Sequence, residues 1–384
     1  MKPPIDSLAQ AASHFAPWTG EFDAETLRHW LHLEFGPHAV GEMPFGYFQP
    51  ADLLQPYGPQ TRTRLIPPQT ILHIISGNTP HALWQTLLRG LLLGAHNLLK
   101  LPSQALPDIE KKIAALPAEL RAKITTAREL PTDWLARAEA FVVFGSDATI
   151  RHFRELAPPH LPFLAHGPKL GIALISEPDP EAARLAARDI ATFNQQGCLS
   201  LHTLYLPAAE ISSFGDELAR ALAAREECDP RGPLDPSADG AIATWREEIR
   251  FLAANQAAGQ SDYQLWESPG DTAWTIIRLP GQDELPVSTL NRSVILQPLE
   301  ALSPDHSFRN PPCERPTPPA RLRIPSPQLL SGIALYPYEP EFWPALPSPR
   351  LFPLGQAQTP PLLWHHDGIA PLASLVRYQD QFIL

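Results

Sequence analysis

Cysteine is scarce in this chain: Cys198, Cys228 and Cys313 are the only ones in 384 residues. Three scattered thiols make neither a disulfide framework nor a CxxC metal pair, so a reducing compartment is expected. The N-terminus, MKPPIDSLAQ, has no apolar core, and no signal peptide is read there. Long hydrophobic runs are also missing. The most apolar stretch, ALWQTLLRGLLLGAHNLL, is broken by Gln85, Arg89 and His96. A membrane span would carry an uncompensated charge near its middle, so the stretch reads as a buried helix followed by a strand. Basic residues are in deficit, 30 against 41 acidic ones, for a net charge of −11. That balance disfavours nucleic acid as a partner but leaves room for an anionic cofactor in a local pocket. Neither a GxGxxG fingerprint nor a GxxxxGK loop occurs, and no repeat of solenoid period is found. The expectation is a cytoplasmic protein without an integral membrane segment.

Apolar residues make up 44% of the chain and charged residues 18%, a globular balance at a length that implies two or three lobes. Proline is abundant, with 46 residues, and segments 226–239 and 303–328 read as proline-rich loops over a folded body. The first half alternates between two kinds of segment. TILHIIS (70–76), NLLKL (97–101), AFVVF (140–144), LPFLA (161–165) and GIALIS (171–176) read as buried strands. Helices are expected from Pro80 to about Gly94, over 107–126, from about Asp147, and over 180–193, where Asp179 caps and Pro180 opens the helix. Strands alternating with helices predict an α/β fold, a mostly parallel sheet covered on both faces.

In such sheets ligands bind beyond the carboxyl ends of the strands. Asn78, Lys100, Gly145 and Ser146 stand at or just past such ends, and Gly145 and Ser146 lead into a helix N-terminus suited to phosphate. By position alone, ordinary turn residues would look the same. Cys198 sits in FNQQGCLSLH, behind Gly197 in a polar turn between two apolar segments. A structural cysteine more often lies within an apolar face, whereas a nucleophile wants a turn that presents it. His202 is four residues on, roughly 13 Å along a strand at about 3.3 Å per residue, too far for a direct Cys–His dyad. The run His365, His366, Asp367 invites a metal reading. Adjacent strand histidines point to opposite faces, however, and no second His/Cys cluster has matching spacing, so no metal is expected.

Taken together, HIISGNTPHALWQTLLRGLLLGAHNLLKLPS, VVFGSDATIRHF, FLAHGPKLGIALIS, DIATFNQQGCLSLHTLYL, LNRSVILQPL and WHHDGIAPLASLVRY resemble the acyl-CoA reductase family of the LuxC type, within the aldehyde dehydrogenase superfamily. The resemblance is weak over 230–285 and 300–360. It implies an aldehyde-dehydrogenase-like fold: a Rossmann-type cofactor lobe over 1–165, completed in one reading by 365–384, and an α/β catalytic lobe over 166–364 carrying Cys198. It implies Cys198 as the catalytic cysteine and Asn78 as an oxyanion-hole donor beside the Cys198 backbone N–H. Lys100 falls near the adenosine ribose, and Gly145 and Ser146 near the cofactor phosphates. The implied chemistry is reduction of an acyl-CoA, or an acyl-carrier thioester, to the aldehyde by NADPH or NADH through an acyl-cysteine.

Three departures from the superfamily pattern bear on this reading. Ala165 stands where hydrolytic members carry a water-activating glutamate, which suits a reductase. The adjacent His166 is either a proton carrier or a satisfied turn histidine. Ser103 replaces a ribose-binding glutamate, which makes a 2′-phosphate acceptable. Near Thr289 a second ribose-binding glutamate is also absent. Arg292 would contact a phosphate or brace the lobes. A homo-oligomer is expected, with the apolar runs 331–336 and 376–384 as candidates for a β-ribbon between subunits, together with a partner enzyme that supplies the acyl group. The rivals are a carboxylate-forming aldehyde dehydrogenase, a thioesterase or acyltransferase that consumes no nicotinamide, and a non-catalytic scaffold. Ala165 argues against the first, and retention of Asn78, Lys100 and Cys198 together argues against the last.

Overall fold

The computed structural model describes residues 4–36, 47–48, 61–77, 79–103, 106, 108–257, 260, 262–281, 285–302, 324–343 and 346–382. The chain forms two compact units, residues 1–168 with 359–384, and residues 169–358. In the first segment lie β1 (Tyr47–Phe48), β2 (Thr61–Ile66), β3 (Thr70–Ile74), β4 (His96–Lys100), β5 (Ile124–Ala127), β6 (Ala140–Phe144) and β7 (Phe163–His166). The second unit holds β8 (Leu170–Ile175), β9 (Leu201–Leu206), β10 (Gln264–Glu267), β11 (Thr275–Arg278), β12 (Ser293–Pro298), β13 (Leu330–Tyr336) and β14 (Leu351–Pro353). The returning C-terminal segment adds β15 (Arg377–Phe382).

The first unit is built on a five-stranded sheet of order β5-β4-β3-β6-β7, parallel throughout. Its inner strands read as continuous apolar runs because both faces are covered. The strand order reverses between β3 and β6, which makes their carboxyl ends a topological switch point. Helix Pro80–Leu92 is buried from Leu83 to Leu92, including Arg89. A polar network ties it to the sheet. His73 Nε2 donates to Asn97 Oδ1 at 2.9 Å, while Thr86 Oγ1 donates to His73 Nδ1 at 2.8 Å. The Asn97 amide is oriented by its own donation to the Ala95 carbonyl. β15 pairs antiparallel with β2, which also pairs with β1.

The second unit carries a seven-stranded sheet of order β10-β11-β12-β9-β8-β13-β14, parallel except at β10. Ala182, Ala183, Ala186, Ala187 and Ile190 line one side of helix Pro180–Ala191. They pack with Phe214, Leu218 and Leu222 of helix Ile211–Cys228 in the same core cluster as β8, β9 and β12. Small residues here let the two helices approach closely.

Several expectations are corrected. The helix expected over 107–126 is two short helices, Ile109–Ala114 and Ala118–Arg121, followed by β5. Pro117 separates the helices, since it cannot donate within one. Segment 226–239 is a loop only over 229–235: Cys228 ends one helix, Pro236 opens the next at its first position, and Asp235 caps it through the Ser237 N–H at 2.9 Å. The run 331–336 lies in β13, hydrogen-bonded on both edges by β8 and β14, so it has no free edge for a second subunit. Residues 303–323, including Cys313, lie outside the described residues, as does Asn78.

Candidate active site

The turn that carries Cys198 begins where helix Pro180–Ala191 stops. Phe193, Asn194 and Gln195 adopt φ of 53°, 51° and 61°, left-handed values that cost non-glycine residues about 1 kcal/mol or more each. The positive values fall at these residues rather than at Gly197, where the sequence suggested the turn was made. Leu290, Asn291 and Arg292, just before β12, form a second left-handed run, with φ of 64°, 54° and 64°. The two runs are bonded to each other. Gln195 Nε2 donates to the carbonyls of Leu201 and Ser293 at 2.6 and 2.7 Å, and its Oε1 accepts from Ser293 N–H at 2.9 Å. Gln196 Nε2 donates to Asn291 Oδ1 at 2.9 Å. Arg292 Nε donates to Asn194 Oδ1 at 3.1 Å, and its Nη1 donates to Glu226 Oε2 at 2.6 Å and the Asp229 carbonyl at 2.8 Å. Arg292 therefore braces the cysteine turn from within the second unit. The result is a rigid, strained ledge on which Cys198 is part-exposed between buried Gly197 and buried Leu199. His202 is buried and its Nδ1 pairs with Ser288 Oγ at 3.0 Å; burial pushes the imidazole down to about 4, so it is neutral.

A second scaffold approaches the same turn. Gln358 Nε2 donates to Ser200 Oγ at 2.9 Å, two residues past Cys198. The segment before Gln358 is fixed from two sides. Buried Asp189 accepts the Gly355 and Ala357 N–H groups at 2.7 and 3.0 Å, and Arg350 donates to the Gln356 and Ala357 carbonyls at 2.7 and 2.8 Å. Sequence reasoning missed Asp189, Arg350 and Gln358. No motif marks them, because their roles arise only when distant segments meet.

In the first unit, Lys100 ends β4 and Gly145 and Ser146 follow β6, all at carboxyl ends of the parallel sheet. Ser146 caps helix Asp147–Leu156 by accepting Thr149 N–H at 3.3 Å. Gly145 is required there: a Cβ would lie 2.9 Å from the Thr149 side chain. Ser103 is exposed, and its carbonyl accepts from Arg128 Nη1 at 3.5 Å. Ala165 lies in β7, followed by buried His166, whose Nδ1 sits 2.8 Å from Asp367 Oδ2. His366 and Asp367 form a tight turn, with Asp367 at φ 56°, not the strand assumed from sequence. Together with His166 they form a group whose potential ligand atoms all lie within 4.8 Å, which spacing along the chain did not reveal. The rings of Phe144, His166, His366 and Trp364 stack in series, with the two imidazoles 4.1 Å apart at 20°. Nearly parallel rings send their lone pairs side by side instead of onto one point, so the arrangement suits packing and an Asp–His pair better than an ion.

Residues 52–304 match the family model described as Acyl-CoA reductase (LuxC). A "Long-chain acyl-protein thioester reductase 2" of Photobacterium leiognathi is 26% identical over 222 residues, which cover 54% of this chain and 46% of that protein. A "Long-chain acyl-protein thioester reductase" of Aliivibrio fischeri is 25% identical over 210 residues, covering 51% and 43%. The chain thus spans about half the length of the curated relatives it matches. Among solved structures, an aldehyde dehydrogenase from Bacillus cereus in complex with NAD+ superposes with TM-score 0.60 at 11% identity, over 99% of this chain and 82% of that one. The succinic semialdehyde dehydrogenase from Streptococcus pyogenes with NADP+ gives TM-score 0.58 at 11% identity, over 98% and 86%. At such identities the likeness speaks for the fold alone, which is aldehyde-dehydrogenase-like.

Proposed function

Because the chain belongs to the acyl-CoA reductase (LuxC) family, we propose that it reduces an acyl thioester to the aldehyde with Cys198 as the nucleophile. The observation that carries this reading is the Cys198 ledge: a part-exposed thiol behind three left-handed residues, locked by Gln195, Gln196 and Arg292. Backbone strain of this kind is kept where geometry serves a reaction.

A nicotinamide cofactor fits the first unit. Its parallel sheet has a switch point between β3 and β6, with a ten-residue helix opening at Ser146 beside it and a cation, Lys100, at the end of β4. In this reading residues 1–168 with 359–384 form the cofactor lobe and residues 169–358 the catalytic lobe. Lys100 and Ser103 would hold the adenosine ribose, and Gly145 and Ser146 the pyrophosphate. Ser103 carries no charge, so NADPH and NADH are both acceptable, and a 2′-phosphate meets no carboxylate from that residue.

The Cys198 thiolate adds to the thioester carbonyl. A carbon–sulfur bond to Cys198 forms, the bond to the CoA or carrier sulfur breaks, and the departing thiolate takes a proton from solvent. Exchange between two thioesters is nearly even in energy. A reduced nicotinamide held by Lys100, Ser103, Gly145 and Ser146 would supply the hydride for the acyl carbon and would itself be oxidised. Cys198 then takes back the electron pair of its carbon–sulfur bond as the carbonyl re-forms, and the aldehyde leaves. Negative charge collects on one oxygen in both stages. The Cys198 N–H and the Asn78 amide are the proposed donors to it, each worth about 3–4 kcal/mol in comparable sites. Ala165 offers no base to activate water, so the acyl-enzyme persists until hydride arrives. The proposed donor of the acyl group is an acyl-CoA or an acyl-carrier thioester handed over by a partner enzyme. Among the described residues no helix is long and apolar enough to cross a membrane.

The test is incubation with acyl-CoAs of graded length, intact-protein mass spectrometry, and then addition of NADPH or NADH. An adduct on Cys198 that disappears as aldehyde forms is expected, and Cys198→Ala should abolish both. An adduct that clears without nicotinamide would make the protein a thioesterase instead. Aldehyde formation at near wild-type rate by Cys198→Ala would remove Cys198 from the reaction.

A further inference from the structure

Ser200 is fully buried two residues past Cys198 and is held at three points. Its N–H donates to the Gly197 carbonyl at 3.0 Å, which closes the turn around Cys198. Its carbonyl accepts from the Gly171 N–H at 2.9 Å, and its hydroxyl accepts from Gln358 Nε2 at 2.9 Å. Gly171 is required at that approach, since a Cβ there would lie 2.7 Å from the Ser200 carbonyl oxygen. Both partners stand where the chain passes between its two units, from Pro168 to Lys169 and from Gln358 to Thr359. The first passage begins at the turn proposed to hold the cofactor phosphates. The Gly145 N–H donates to the His166 carbonyl at 3.2 Å. A Cβ on Gly167 would lie 3.3 Å from Ile150 Cδ1 and 3.6 Å from Asp147 Oδ1, so Gly167 packs on the first turn of the helix that Ser146 caps. Six residues, HGPKLG (166–171), therefore run from the phosphate turn to the partner of Ser200. Pro168 fixes one φ in the middle of them, and Lys169 Nζ donates to the Gln328 carbonyl at 2.6 Å. The second passage is tied to the first, because Asp367 Oδ2 pairs with His166 Nδ1 at 2.8 Å.

We propose that segment 166–171 couples the phosphate turn to the nucleophile turn, so that an adenine nucleotide held at Gly145 and Ser146 firms the backbone around Cys198. Ser200 and Gln358 are the positioning residues of this arrangement. Coupling between distant sites travels through contiguous packed and hydrogen-bonded segments, and here each link is a covalent bond, a hydrogen bond or a close packing contact. A diphosphate at a helix N-terminus takes up free N–H groups and so orders the turn that offers them. His166 and Gly167 rest on that turn, and the stretch after Pro168 carries the restraint to the Ser200 carbonyl. Gln358 holds the Ser200 hydroxyl from the other passage, so Ser200 does not yield by turning aside. For a reductase the consequence is order of events. The thiol is set most firmly when the source of hydride is in place, and the acyl-enzyme forms where it is reduced. Such coupling is reciprocal, so a firm nucleophile turn also tightens the nucleotide.

This inference rests on the reading of Cys198 as the nucleophile and of the first unit as the cofactor lobe. The probes are ADP and adenosine 2′,5′-bisphosphate, since neither carries a nicotinamide that could cover Cys198 directly. Calorimetry measures their binding to the full chain. Hydrogen–deuterium exchange, read by mass spectrometry, follows peptides over 169–173 and 197–203 with and without each probe. Binding should slow exchange in both peptides about fivefold, the low end of ordinary coupling between sites. Pro168 is exposed, so Pro168→Gly softens the segment without loss of packing. That variant should bind the probes with near wild-type affinity and lose the protection over 197–203. Gln358→Leu should speed exchange over 197–203 with and without probe, because one hold on Ser200 is gone. Should a variant fail to fold, the wild-type comparison still decides. Binding without protection over 197–203, protection retained in Pro168→Gly, or unchanged exchange in Gln358→Leu overturns the coupling and leaves the cofactor lobe standing. Binding of neither probe overturns both. A missing acyl adduct on Cys198 with the expected exchange pattern would sink the proposed function and leave the coupling in place.

Discussion

Arg292 Nε donates to Asn194 Oδ1 at 3.1 Å, and this one bond joins two three-residue left-handed segments that lie 98 positions apart in the chain. The same guanidinium reaches Glu226 and Asp229, so the cysteine turn, the end of helix Ile211–Cys228 and the entry to β12 share one cation. The Arg292 side chain is 2% exposed, and its removal takes from Glu226 the cation that pairs with it at 2.6 Å. Breaking a buried pair in this way costs about 3–5 kcal/mol. Arg292→Met should lose about 3 kcal/mol in urea unfolding and lose acyl-adduct formation on Cys198 as well. A stable variant with normal adduct formation would show that the brace is dispensable.

Among the glycines described, Gly90 has the least room for a side chain. A Cβ at this position would lie 1.9 Å from Asn97 Oδ1, the atom that accepts from His73. Nothing at this contact is a free end, because the Asn97 amide is also tied to Ala95. Gly90→Ala gains helix propensity worth about 1 kcal/mol. It loses more: strain from overpacking of about 1–3 kcal/mol and a buried hydrogen bond whose unmaking costs about 1–3 kcal/mol. Thermal unfolding should therefore show a net loss of about 1–5 kcal/mol, and a neutral or stabilising result would contradict the packing described.

Acid should weaken the fold through its buried histidines. Burial pushes His73, His81 and His202 from 6.5 down to about 4. Their folded values are depressed, so as pH falls below 6.5 the unfolded chain takes the protons first. Each histidine's contribution is complete above 6.5 and drains away towards 4, at up to about 1.4 kcal/mol per pH unit. Asp189 runs the other way. Burial raises its carboxyl from 3.8 to about 6, so the folded state binds that proton more tightly and its contribution falls as pH rises from 3.8 to about 6. Three groups outweigh one, and the net prediction is a steep fall in unfolding free energy between pH 6.5 and 4. His202→Gln should flatten that slope in urea titrations at stepped pH, whereas Asp189→Asn should steepen it. A slope unaffected by either would place the acid sensitivity elsewhere.

Much of the parallel core was legible in the sequence because its strands are short apolar runs closed by glycine, asparagine or proline. AFVVF and TILHI needed nothing beyond their own residues. β5, ITTA, was hidden because an edge strand with one half-exposed face looks like the tail of a charged helix. The helical reading of 107–126 failed at Pro117 for the same local reason. Proline in 226–239 misled in the opposite sense, since Pro236 starts a helix instead of breaking one. At the candidate site, Cys198 was visible by its scarcity and its polar turn. The cause of the turn was not. Left-handed φ at Phe193 and Leu290 is unfavourable for those residue types and is sustained by partners about 100 positions away, which no local rule reveals. Arg350 and Asp189 were silent for the same reason.

Cofactor preference offers the sharpest test of the first unit. Ser103 is exposed three residues beyond Lys100, and its carbonyl accepts from Arg128, a residue that also pairs with Glu110 at 3.0 Å. The cofactor reading starts from NAD-preferring relatives in the resembled superfamily, in which a glutamate at this position binds the ribose hydroxyls and would repel a 2′-phosphate. Ser103→Glu would place a carboxylate beside that phosphate. Two charges a few ångströms apart near a protein surface interact by a few kcal/mol at most, and salt together with Arg128 screens part of it. A drop of about tenfold in the ratio of kcat/KM for NADPH over NADH is expected, about 1.4 kcal/mol, with NADH binding held or improved. Quenching of tryptophan fluorescence by each cofactor separates binding from turnover. If both the binding ratio and the kinetic ratio stay at wild-type values, Ser103 does not face the ribose, and the placement of the adenosine end along β4 is wrong.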